Sequence, residues 1–254
     1  MKKNQTLLLL LTVFTLFASC SKDDDSDNST PVPPTASTPS TVPVIADANG
    51  VLVSVKSITW TINPFFPFPV ISQVGTAVAV FSDSPGSSTF VNAGNVQCES
   101  NFLTRQGNNS YVFTPSATAP TGISFNTNPE WVVQGAGSIP ALNRITTMGF
   151  PSGIDSVSNG ATINKNNDYT LNSAGNITNS DSVLFIVAGP SATLSRTLPG
   201  NTVSCTFSAN EMATIGAGNG IIQIAPYNVE STTTGGKKFY LVNEVVVSRN
   251  VTIN

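Results

Sequence analysis

The sequence predicts an all-β protein, built as two consecutive β-sandwich modules behind a long polar lead segment, with one larger β-sandwich as the alternative arrangement. Three observations predict it. No stretch after residue 45 sustains helical periodicity, while short runs of β-branched and aromatic residues recur between Gly, Asn, Asp and Pro. Only 10% of the 254 residues are charged, against roughly 25% in an ordinary globular domain. Polarity is carried by Ser, Thr, Asn and Gly instead, as in many secreted β proteins.

Residues 1–19 have the layout of an export signal. Lys2 and Lys3 form a basic start, Leu7 to Phe17 carry no charge, and Ala18-Ser19 are small residues ahead of Cys20. The apolar run falls short of the roughly 20 residues that span a bilayer as a helix. Residues 20–44 read as a stalk: an acidic run, then five prolines among Ser, Thr and Val in residues 28–43. Such a composition cannot bury enough apolar surface to offset its ordering entropy.

Residues 45–143 form the first predicted module. Its strands are read at Val51–Ile62, Val70–Ser82, Thr89–Cys98, Tyr111–Thr114, Ile123–Asn126 and Trp131–Gln134. Turns fall at Asp83-Ser84-Pro85-Gly86 and Gln106-Gly107-Asn108-Asn109. The module boundary is placed between Ile139 and Pro151, where Pro140, Gly149 and Pro151 interrupt the pattern. Residues 144–254 form the second module. Its strands are read at Ala161–Asn164, Tyr169–Asn172, Ser182–Ala188, Thr193–Leu198, Thr202–Phe207, Gly220–Pro226 and Lys238–Ile253. In the last, Asn243 and Arg249 interrupt an apolar face of odd-numbered residues, which predicts a bulge or split near Asn243-Glu244. Ser208-Ala209-Asn210-Glu211 is a capping box for one helical turn with Met212 and Ile215 inward.

Composition also bounds the chemistry. Histidine is absent, which removes His-based triads and every imidazole metal site. Loss of Lys2 and Lys3 with the signal leaves nine Lys plus Arg against fourteen Asp plus Glu. No basic patch exists, so nucleic-acid binding is not expected. No metal or other cofactor is expected, and no catalytic residue is assigned. The ten acids after the stalk stand singly, so a carboxylate-dependent hydrolase is the least favoured reading; it needs two acids opposed in a cleft. Cys98 and Cys205 sit on the apolar sides of alternating strands and are read as buried free thiols, with a disulfide between them as the alternative.

The stretch Leu16-Phe17-Ala18-Ser19-Cys20 resembles a bacterial lipobox. Lys22, Asp23, Asp24 and Asp25 after it resemble the lysine-plus-acidic export signal of Bacteroidetes lipoproteins. That resemblance implies acylation of the Cys20 thiol, with palmitate among the acyl groups, and a protein anchored to the outer membrane. It implies display on the cell surface, with the periplasmic face as the alternative. The seven-strand pattern of the second module, with its helical turn before the penultimate strand, resembles an immunoglobulin-like or fibronectin-type sandwich. Asp181-Ser182-Val183, Gly220-Ile221-Ile222-Gln223-Ile224 and the Val-rich closing strand resemble envelope lipoproteins of Bacteroidetes, a likeness that brings no activity with it.

The expected function is therefore non-catalytic: a structural, adhesive or accessory binding role at the cell envelope. The alternative is a glycan-binding accessory lipoprotein of a polysaccharide-utilisation system. Partners are expected to be the membrane, through the anchor, and a glycan or envelope protein. A ligand platform is sought at Phe65, Phe66 and Phe68, which lie between prolines, and at Trp60 and Trp131, since large exposed apolar patches mark contact sites. Core packing is the competing reading for the tryptophans, and a folded-back capping loop for the phenylalanines. Ser156 and Ser182, each preceded by Asp and followed by Val, resemble the acceptor for O-glycosylation in Bacteroidetes; Asp-Ser before an apolar run is equally an ordinary strand start.

Overall fold

The computed structural model describes residues 45–61 and 70–254, without the side chains of Trp60, Thr61 and Val70. Before them it describes only β1 (Leu11–Thr12) paired antiparallel with β2 (Pro39–Ser40), within a unit of residues 1–44. Residues 45–254 form a second compact unit. This unit is nearly all β, with a single helical turn among the described residues.

Its frame is a nine-stranded sheet. The path contains β14 (Thr193–Pro199), β13 (Ser182–Ala188), β16 (Gly218–Thr234), β17 (Lys237–Ile253), β3 (Gly50–Thr61), β4 (Val70–Phe81), β8 (Tyr111–Phe113) and β7 (Thr104–Arg105), in that order. Off the path, β11 (Thr162–Ile163) adds in parallel to the end of β17. β16 and β17 make a long hairpin closed by Gly235-Gly236, both at positive φ (55° and 75°). A two-residue turn of that hand suits the strand twist and favours glycine at both positions.

The expected bulge near Asn243-Glu244 is corrected. Residues pair in one register from Gly218↔Ile253 to Thr234↔Lys237, with no extra residue on either strand. Pairing lapses only at Ala225-Pro226, where proline has no amide to donate. β16 also runs eight residues past Pro226, the predicted end. Further corrections concern short elements. Ile123–Asn126 is not a strand; Gly122 bridges Gly75, and the Ile123 amide donates to the Gly75 carbonyl (2.9 Å). The run Thr89–Cys98 contributes only β5 (Val96–Cys98).

Two smaller sheets cover one face of the large one. The first holds β10 (Leu142–Ile145), β9 (Glu130–Val133), β5 and β6 (Asn101–Phe102). It closes a core around Trp131, Phe81 and Tyr111, which are about as buried as side chains become. The Phe81 ring meets Tyr111 and Phe239 edge-on at 5.7 and 6.3 Å. The second pairs β12 (Tyr169–Asn172) with β15 (Ser204–Phe207) and closes a core around Phe185, Phe207 and Ile224. The turn α1 (Ala209–Met212) follows it: Ser208 and Glu211 complete the capping box, and Met212 and Ile215 are fully buried.

Two cores therefore lie against one continuous sheet. Strand β17 serves both: Phe239 and Leu241 enter the first core, and Val245, Val247, Val251 and Ile253 enter the second. Asn243 stands between them on the same face. Its Nδ2 donates to Thr146 Oγ1 (3.1 Å) and to the Met148 carbonyl. Asn228 Nδ2 donates to the carbonyls of Gly149 (2.8 Å) and Asn179 (2.9 Å). A polar seam thus holds the chain where it crosses from one core to the other.

Candidate functional site

Cys20, Lys22, Asp23, Asp24 and Asp25 lie outside the described residues, as do Phe65, Phe66 and Phe68. Trp60 is described only as backbone within β3. Trp131 is corrected as a platform residue. It occupies β9 with its ring turned inward by the alternation that also buries Val133, and its relative exposure is 0%. Its Nε1 donates to the buried Ser54 Oγ (3.1 Å), so both the apolar body and the polar edge are consumed by the core.

Cys98 and Cys205 are free thiols and form no disulfide. One lies in the core around Trp131 and the other in the core around Phe185. Burial pushes the Cys98 thiol up to about 12, against a weak contact with Ser54 Oγ at 3.7 Å. Burial also raises Cys205, although the Arg196 guanidinium pulls the other way. A thiol so raised is protonated at neutral pH and is a poor nucleophile.

The two glycosylation candidates differ in setting. Ser156 is partly exposed between exposed Asp155 and buried Val157, on a loop bridged to Ser173. Ser182 opens β13, a strand paired on both sides, and its side chain bonds to Tyr227.

Most folded-domain carboxylates with described partners serve the scaffold. Asp168 accepts from the Ala209 amide (2.7 Å) and Asp181 from the Val229 amide (2.9 Å). Glu99 holds Asn126 through its amide and side chain (3.1 and 2.7 Å). Asp47 pairs with Lys238 at 2.7 Å and accepts from Tyr240; these bonds hold it below the usual carboxylate range. Glu230 reaches across the seam and accepts from the Thr147 amide (2.8 Å) and hydroxyl (2.6 Å), the Met148 amide (3.3 Å) and Arg144 (3.4 Å). Burial alone would raise Glu230, but these donors outweigh it and leave it below its ordinary range. Among the described residues no three His, Cys, Asp or Glu side chains gather as a metal site would need.

The sequence reading missed one surface feature. On β6 and β10, Phe102 and Ile145 are 63% and 57% exposed, the largest such values among the apolar residues described beside Ile71 at 54%. Both lie on the outer face of the sheet whose inner face carries Trp131. Compared with known proteins, the chain matches no protein-family model, and no curated protein is similar enough to count as a relative.

Proposed function

We propose that this protein is a non-catalytic lipoprotein of the cell envelope, anchored through an acylated Cys20 and carrying a β body with a structural, adhesive or accessory binding role. The single observation that carries the reading is the order of the first 27 residues: basic start, uncharged run, Ala18-Ser19-Cys20, then the Lys22 and Asp23–Asp25 signal. That order supports an outer-membrane location with the body displayed outward, the periplasmic face being the alternative. The body is consistent with a scaffold. Most of its carboxylates with described partners cap turns and staple loops, and its two folded-domain thiols are buried.

Within that reading the body is two immunoglobulin-like halves fused through one sheet. The second half supports it best. β12 and β15 face β13, β16 and β17, β14 extends the larger sheet at its edge, and a helical turn precedes β16. This is the relation of the B–E pair to the C, F and G strands in such a sandwich, with an added strand beside C. Ser156 is the better of the two glycosylation acceptors, because its side chain is on a partly exposed loop.

Metabolic labelling of the native host with a palmitate analogue tests the anchor. Label on the wild-type chain, lost in Cys20→Ala, is the expected result; an unlabelled chain or a mature N-terminus other than Cys20 overturns it. The intact mass of the same material reports Ser156: a glycan increment lost in Ser156→Ala is expected.

A further inference from the structure

We infer that the outer face of the sheet β10-β9-β5-β6 binds an uncharged polysaccharide. Strand pairing sets Phe102 opposite Gln97, Gln97 opposite Val132, and Val132 opposite Asn143, so these four side chains form one row across all four strands. Directly opposed residues project from the same face. The pair Glu130↔Ile145 lies beside this row, two residues along β9 and β10 and on the same face. The opposite side chains of these strands, Val96, Cys98, Trp131, Val133 and Leu142, are buried, which fixes the row as outward.

The chemistry of the row selects the partner. Three strand spacings make it roughly 14 Å long. It carries an exposed ring at one end, exposed Asn143 at the other, and half-buried Gln97 and Val132 between them. A flat ring offers a surface for the C–H face of a sugar. The amides of Gln97 and Asn143 supply both donors and acceptors for hydroxyl groups. The six residues carry one charge, the carboxylate of Glu130, and no cation. Such a face repels a polyanion and has no means of holding nucleic acid or an anionic lipid surface. A neutral polyol chain suits its charge and its hydrogen-bonding groups. The inference does not depend on the lipid anchor, and it replaces Trp131 with Phe102 as the ring of the platform.

The test is native affinity electrophoresis of the full-length protein, purified from its host in mild detergent. Gels contain starch, laminarin, mannan or dextran, with alginate as the acidic control. Retardation by at least one neutral polysaccharide and none by alginate is expected, with apparent affinity falling at least about tenfold in Phe102→Ala. Phe102→Trp should retain binding, and Asn143→Ala, at an exposed position, should weaken it while the thermal midpoint stays that of the wild type. No retardation on any neutral gel overturns the inference. So does undiminished binding by folded Phe102→Ala or Asn143→Ala, or a concentration-dependent dimer that Phe102→Ala disperses, since the face would then belong to a second copy.

Discussion

The two cores share one sheet yet are built differently. The core around Trp131 is closed by four strands of two to four residues and uses buried polar bonds: Trp131 Nε1 to Ser54 Oγ, and Tyr111 OH between the Ala93 amide and Asn92 Oδ1, each 2.9 Å away. The core around Phe185 is closed by one regular pair of four-residue strands and a capped helical turn, and its members are almost wholly apolar. Buried hydrogen bonds fix the orientation of a ring as well as its burial, whereas an apolar core leaves orientation to packing. The first half spends its sequence on positioning one sheet, and that is the sheet whose outer face carries Phe102.

Breaking each core in turn should have the largest effects. Trp131→Ala and Phe185→Ala should each cost about 3–5 kcal/mol, with the thermal midpoint falling by roughly 10 °C. Because β17 serves both cores, each variant should lower one common transition. Gly122→Ala comes next. A Cβ there would lie 1.9 Å from the Gly75 carbonyl oxygen, and its φ of +70° is already unfavourable for alanine. About 1–3 kcal/mol should be lost in a denaturant titration, read from the same common transition. Asn243→Leu tests the divider between the cores. It removes the donor to Thr146 and to the Met148 carbonyl, which should cost about 1–3 kcal/mol. Hydrogen exchange should then quicken in residues 146–149 before it quickens in either core.

The smallest effect concerns acid. Glu230 titrates below its ordinary range in the folded protein, so its contribution is fully present above the ordinary carboxylate pKa and fades as pH falls through the lower folded value. Thermal midpoints measured across that acid range should fall more gently in Glu230→Gln than in the wild type. The variant should be the less stable of the two at neutral pH.

The second half was far more legible in the sequence than the first, for a physical reason. Tyr169–Asn172 and Ser182–Ala188 are strands over the residues expected, because alternation or an unbroken apolar run identifies a strand with one or two covered faces. The capping box at Ser208 and Glu211 is a purely local arrangement and was equally readable. In the first half, β6 and β7 span two residues each, too few for any period to show, and the four residues of β10 were not singled out as a strand. They exist because β5, β8 and β9 offer edges to pair with. Asn243 looked like a break in an apolar face; it is the polar point at which one strand passes from core to core. Phe102 was unreadable as a surface ring for the same reason as β6: its outward direction is set by pairing with Gln97, which sequence spacing does not show.

Differential scanning calorimetry of the full-length protein tests most directly whether the shared sheet makes one body of the two cores. A single transition is predicted for residues 45–254, with calorimetric and van't Hoff enthalpies equal, and Trp131→Ala should move it without splitting it. Two separable transitions, one shifted by Trp131→Ala and the other only by Phe185→Ala, would contradict the account.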